Sequence, residues 1–266
     1  MRSKRLLNLP DRPLLSVFFT AGFPRLHDTM ELIKRLAAAG VDIIEVGFPF
    51  SDPLADGPTI QASNQRALEN GMTLAFLFEQ LAVLRSSVDI PVLLMGYLNP
   101  VEQFGFERFA HEAARCGIDG FIIPDLPFDE YQESYRSICV ENGISPVFLV
   151  TSRTEAHRIH SFDAEEPAFL YILSSDAVTG GSVKISEQSE AFFRRISQMR
   201  LKSKTLVGFG VKDAQTFADV TRHTHGAIVG SAFIKAISTV ERSSSDDQQS
   251  DFGSSGVIEM FIKSLR

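Results

Sequence analysis

Two cysteines, no tryptophan, no run of five basic residues and no apolar stretch of membrane-spanning length occur in the 266 residues of this chain. Most of these scarcities remove a class of protein. Cys116 and Cys139 fall in segments of helical pattern without a CxxC or metal-type partner, which argues for free thiols in a reducing compartment and against a disulfide or metal framework. The net charge is -7, from 26 basic and 33 acidic residues. With no basic cluster, it argues against nucleic acid as a partner. A bilayer-spanning helix needs about 20 consecutive apolar residues, and no stretch approaches that, so no membrane role is expected. The start, MRSKRLLNLPDRP, has an apolar patch broken by prolines and lacks the form of a secretory signal. Cytoplasm is the expected compartment.

What is present is a repeated alternation. Short apolar runs at 14–19, 43–46, 92–95, 120–123, 146–150, 169–173, 205–208 and 227–229 read as buried strands. Between them, stretches such as 28–39, 106–115, 131–142, 187–199 and 213–222 carry apolar residues at helical spacing. Gly40, Gly117 and Gly143 follow three of them as helix stops. A hydrophobic content of 44% with 22% charged residues is ordinary for a globular protein, and the length suits two small domains or one large barrel. Eight strand-then-helix units without a linker favour a closed (β/α)8 TIM barrel, an α/β fold, as a single domain over 1–266. The polar, Ser-rich stretch 241–256, ERSSSDDQQSDFGSSG, is expected to be a mobile connection before a short terminal helix at 257–265.

In such barrels the site is built at the carboxyl ends of the strands. EVGFPFSDPLADGP, residues 45–58, places Glu45 at the end of the second strand and Asp52 and Asp56 in the loop behind it. Pro49, Pro53 and Pro58 make that loop stiff enough to bring Asp56 back over the mouth. Two carboxylates in different environments can divide proton transfer from charge stabilisation, although a strand-end Glu can also be a simple ion-pair partner. The late strands end in Val207-Gly208-Phe209-Gly210-Val211 and Val229-Gly230-Ser231-Ala232-Phe233. Either glycine pattern alone is equally a turn, whereas the two together, on strands seven and eight, mark a phosphate site. The small, Gly-rich loop 174–182 has the composition of a lid. Phe18, Met95, Tyr97 and Tyr171 could line a flat pocket or belong to the core. Asp125 could orient a loop or meet a ligand.

The strings Phe19-Thr20-Ala21-Gly22-Phe23-Pro24 and Glu45-Val46-Gly47-Phe48-Pro49-Phe50-Ser51-Asp52-Pro53-Leu54-Ala55-Asp56-Gly57-Pro58-Thr59-Ile60-Gln61 closely resemble the tryptophan synthase alpha subunits. The likeness continues through Met95-Gly96-Tyr97-Leu98-Asn99-Pro100, Pro124-Asp125-Leu126-Pro127, Val178-Thr179-Gly180 and both late glycine motifs, in order, to about residue 238. The resemblance implies retro-aldol cleavage of indole-3-glycerol phosphate to indole and glyceraldehyde 3-phosphate, a lyase step of tryptophan biosynthesis that needs no cofactor. It also implies a beta-subunit partner, which alone holds pyridoxal phosphate, in an alpha2beta2 tetramer. By the same resemblance Glu45 matches the general acid/base and Asp56 the carboxylate facing the indole N–H. Gly180, Phe209, Gly210, Gly230 and Ser231 match the phosphate site, and Phe18, Met95, Tyr97, Tyr171 and Thr179 the pocket and lid.

The chain departs from the family in the lid, where Ser175, Asp176 and Ala177 stand in place of an Arg and then a Gly before Val-Thr-Gly. Two other readings compete. A different phosphate-binding barrel enzyme would need a metal cluster or lysines at strand ends, whereas Lys184 and Lys212 lie in loops. A binding-only subunit would tolerate degenerate carboxylates, and both Glu45 and Asp56 are present.

Overall fold

Parallel strands covered on both faces read as near-continuous apolar runs, and the first strand, β1 (Leu14–Thr20, LLSVFFT), is buried at every position. The computed structural model describes residues 2–173, 186–208, 210–240, 252 and 256–266. In it β1 is followed by β2 (Ile43–Gly47), β3 (Val92–Met95), β4 (Gly120–Ile122), β5 (Ser145–Val150), β6 (Leu170–Leu173), β7 (Thr205–Gly208) and β8 (Gly226–Val229). All pair in parallel and in chain order, and β1 closes the barrel against β8 with Leu14 opposite Gly226 and Val17 opposite Val229. The expected (β/α)8 barrel is therefore observed, with strand ends within one residue of expectation. Expectations for the lid at 174–182 and for most of 241–256 fall outside the described residues; within the latter, Phe252 is buried.

Strand alternation divides the apolar residues into two sets. Leu14, Ile43, Leu93, Ile122, Leu206 and Ile228 fill the barrel. Leu15, Val17, Ile44, Val46, Leu94 and Val207 belong to the larger cluster shared with the surrounding helices. Each fully buried Leu or Ile contributes about 1.5–3 kcal/mol, so a one-residue slip of any strand would exchange the sets at great cost.

The helices follow the expected periodicity, with one difference. The stretch expected as one helix over 131–142 is a π-helical turn, Tyr131–Tyr135, continued by the α-helix Arg136–Asn142, and the N–H of Arg136 donates to the Tyr131 carbonyl five residues back. Gly143 then stops the helix in the left-handed region, at φ 65°, where a side chain would be strained. Pro58 opens the helix Pro58–Glu69 at its first turn, where its missing N–H costs nothing.

The amino end of the barrel is sealed. The short helix Lys4–Leu7 brings Leu6 into the interior cluster. Below it the fully buried Asp119 accepts from Arg5 Nε at 2.9 Å, Arg85 Nη2 at 2.7 Å and the Val92 N–H at 2.9 Å. Asp42 is held by Arg12 at 2.7 Å and by the C-terminal Arg266. His225 lies at this end too, accepting from the Thr205 N–H at 3.1 Å, and Lys204 immediately precedes β7. The open mouth is the opposite rim.

Candidate active site

Glu45 is the third residue of β2, opposite Phe18 of β1 and Leu93 of β3. Its neighbours on both strands are apolar, so it has no exposure at all. Burial disfavours the anion and pushes its pKa up from 4.5 to about 8, partly opposed by a hydrogen bond from Ser16. That bond, Ser16 Oγ to Oε1, is 2.7 Å, and Oε2 has no hydrogen-bond partner among the described residues. Near neutral pH this carboxyl is mainly a neutral acid with one free oxygen.

Asp56 stands on the loop after β2, half-buried. Tyr97, just beyond β3, donates its hydroxyl to Asp56 Oδ2 at 3.1 Å and accepts the Ala55 N–H at 2.9 Å. One phenol thus fixes the loop and the carboxylate together. Burial raises the Asp56 pKa while the Tyr97 hydrogen bond lowers it; the Tyr97 hydroxyl itself is pushed up to about 12, chiefly by burial. The loop is also anchored from behind. Gln61 Nε2 donates to the Asp56 carbonyl at 2.9 Å, and Thr20 and Ser63 share a 2.7 Å hydrogen bond that ties the helix Pro58–Glu69 to β1.

Tyr171 of β6 is buried, and its pKa is raised by burial and by the charges of Glu45 and Asp56. Its ring occupies the space beside Gly208, where a Cβ would lie 2.1 Å from the tyrosine hydroxyl. Phe18, Asp56, Met95 and Tyr97 line a common cleft with Asn64, Gly47 and Phe48. Its free volume, about 20 Å³, admits little more than a water. A separate cavity of about 570 Å³ lies beyond β4 and β5, among Phe128, Phe148, Phe162, Arg153 and Arg158, and includes neither Glu45 nor Asp56. The carboxylates, rather than the larger volume, locate the candidate chemistry.

Gly210, at φ 81°, follows β7, and Gly230 precedes the helix Ser231–Ser238, which no side chain caps. The first-turn N–H groups at Ser231 lie on the mouth side of the barrel, where the helix dipole favours an anion. Thr179, Gly180 and Phe209 lie outside the described residues. Asp125 accepts the Leu98 N–H at 2.9 Å and so orients a loop. Sequence pattern does not single out Ser16 or Asn64; the signal for Ser16 is a hydroxyl inside an apolar strand, on the inward face by alternation with Phe18. Among the described residues no group of three His, Cys, Asp or Glu could hold a metal, and no helix is long and apolar enough to cross a membrane. Both cysteines are free and buried.

The family model described as tryptophan synthase alpha chain matches residues 6–257. A tryptophan synthase alpha chain of Christiangramia forsetii is 49% identical over 227 residues, 85% of this chain and 89% of that one. Among solved structures, tryptophan synthase subunit alpha of Legionella pneumophila has a TM-score of 0.83 at 30% identity, covering 95% of this chain and 91% of the other. The tryptophan synthase complex of Pyrococcus furiosus contains a chain with a TM-score of 0.81 at 30% identity, covering 96% and 98%.

Proposed function

The chain belongs to the tryptophan synthase alpha chain family, and we propose that Glu45 and Asp56 carry out the cleavage of indole-3-glycerol phosphate to indole and glyceraldehyde 3-phosphate. The observation that carries this reading is the fully buried Glu45, held by one oxygen and free at the other, on the same barrel mouth as Asp56.

The bond to be broken joins ring carbon C3 to the glycerol carbon bearing a hydroxyl. The neutral carboxyl of Glu45 gives its proton to C3, so the ring becomes a cation able to accept the bonding electrons. Asp56, held by Tyr97, faces the ring N–H and stabilises that cation. The carboxylate left on Glu45 then takes the proton of the glycerol hydroxyl as the carbon–carbon bond breaks, leaving an aldehyde and indole, and Glu45 is again protonated. Such positioned proton transfer is worth about 10²- to 10⁴-fold in rate. Proton movement is all that the step requires, so the alpha reaction uses no cofactor, and pyridoxal phosphate belongs to the beta subunit.

Phe18, Met95, Tyr97, Tyr171 and Thr179 flank the ring. The cleft must widen to seat it, and Phe18, whose ring packs on Gly47, is one of the side chains that line it. Gly180, Phe209, Gly210, Gly230 and Ser231 hold the phosphate, which supplies orientation. The loop after β2 carries Asp52, Pro53 and Leu54 outward; Leu54 is 88% exposed, and this loop meets the beta subunit of an alpha2beta2 assembly.

The test is release of indole from indole-3-glycerol phosphate, followed by chromatography with and without a cognate beta subunit. Release is expected from the chain alone, rising with the partner. Glu45→Gln should lower it at least about 100-fold while binding of glyceraldehyde 3-phosphate persists. Substantial turnover by Glu45→Gln would remove Glu45 from its role. No release under either condition would make the chain a binding-only subunit.

A further inference from the structure

The two oxygens of Glu45 are not equivalent, and the difference comes from one residue. Ser16 and Glu45 both have zero exposure, and Ser16 Oγ donates to Oε1 at 2.7 Å while Oε2 has no partner among the described residues. The strand register puts Ser16 opposite Ile43 and Phe18 opposite Glu45, so Ser16 reaches the carboxyl along the diagonal of the ladder, from the side of the barrel interior. An oxygen that accepts a hydrogen bond is the poorer place for a proton, because the donor favours its lone pair. We propose that Ser16 is a positioning residue for the proton transfer: by holding Oε1 as a fixed acceptor it orients the carboxyl and leaves the transferable proton on Oε2. The inference deepens the assignment of Glu45 as the acid and rests on it.

Among the described residues this task falls to Ser16 alone. The titratable group among them that is coupled to the carboxyl is Tyr171 from β6, which Asp56 on the loop after β2 also influences. Neither is hydrogen-bonded to Glu45, and no cation contributes to its raised pKa. Opposite on β3 stands Leu93, which has nothing to donate. Without the Ser16 hydroxyl, both oxygens would be alike, the carboxyl would turn freely between rotamers, and the proton would point at the ring in only part of the population. The same hydrogen bond stabilises the anion, so its loss keeps Glu45 protonated to higher pH.

The experiment measures kcat, KM and the pH profile of indole release by Ser16→Ala and Ser16→Thr. Ser16→Ala should lose about tenfold in kcat with KM nearly unchanged, the effect of removing one hydrogen bond to an ionisable group. Its basic limb should move up by about one pH unit, since the acid form persists. Ser16→Thr, which keeps the hydroxyl, should restore most of both. In a Glu45→Gln background, Ser16→Ala should change nothing further. An unmoved basic limb, or a rise in KM with kcat intact, would overturn the proposal by reducing Ser16 to a packing residue. Failure of the underlying reading is separate and visible first, as absence of indole release by the unaltered chain or as full activity of Glu45→Gln.

Discussion

Replacing Glu45 by Gln should change how the stability of this protein depends on pH. In the folded chain burial holds the carboxyl's pKa at about 8, against 4.5 for the exposed group. Below pH 4.5 the carboxyl is protonated in both states and contributes no pH dependence. Between pH 4.5 and 8 the unfolded chain releases this proton and the folded chain keeps it. The folded state then binds more protons, so stability falls as pH rises, and above pH 8 the loss is complete. The interval spans about 3.5 pH units, and at about 1.4 kcal/mol per unit the loss reaches about 5 kcal/mol. A glutamine has nothing to titrate. It keeps an acceptor for Ser16 but buries an unpaired NH2 where Oε2 was, which costs about 1–3 kcal/mol at every pH. Urea unfolding of both proteins from pH 5 to pH 9 covers about 4 kcal/mol of that loss and should therefore give curves that converge and cross, with wild type losing about 1.6 M of midpoint more than the variant for a slope near 2.5 kcal/mol per M. Other groups titrate in this range, but they are common to both proteins and cancel in the difference. Parallel curves over the whole range would refute the argument, because they would mean that Glu45 has an ordinary pKa and is no neutral acid at pH 7.

Two further outcomes follow from the loop after β2. Tyr97→Phe deletes the donor to Asp56 and the acceptor for the Ala55 N–H, so kcat/KM should fall about tenfold and the Asp56 titration should move to higher pH, read from the acidic limb of kcat/KM; an unmoved acidic limb would separate Tyr97 from Asp56. Leu54→Asp puts a charge on an exposed apolar side chain of the loop and should weaken beta-subunit affinity about 10- to 100-fold, measured by titration calorimetry, with indole release by the isolated chain unchanged. Unaltered affinity would take this loop out of the interface.

The fold was legible because its signal is repeated. Eight apolar runs, each buried on both faces, leave little choice about what is a strand, and a linkerless succession of strand and helix leaves little choice about topology. Glu45 was legible for a related reason: a charge inside VDIIEVG is conspicuous against its neighbours. Ser16 is not, since a small hydroxyl residue inside LLSVFFT is unremarkable by composition, and its importance depends on a diagonal contact that only the register reveals. The Asp56–Tyr97 bond joins residues 41 apart, so sequence could assign both to the mouth without pairing them. Asp125 allows two readings in the sequence, and its hydrogen bond from the Leu98 N–H supports loop orientation. The π-helical turn at Tyr131–Tyr135 has no compositional mark, because its residues keep helical spacing and only the hydrogen-bond pattern shifts.

The two ends of the barrel treat buried carboxylates in opposite ways, and the contrast bears on function. At the amino end Asp119 meets two arginines and a backbone N–H, Asp42 meets Arg12 and Arg266, and Asp163 accepts the N–H groups of Lys202 and Ser203 at 2.9 and 2.8 Å. These ions are satisfied, as buried charges must be if they are not to destabilise the chain. At the carboxyl end Glu45 has one neutral partner and an empty second oxygen, and among the described residues the other unpaired buried side-chain atoms are neutral. The strand neighbours of Glu45 are apolar, Phe18 on one side and Leu93 on the other. Keeping a carboxyl there costs several kcal/mol at alkaline pH, and what the burial secures is a carboxyl that stays protonated near neutral pH, out of water, as the proposed role of Glu45 as acid requires.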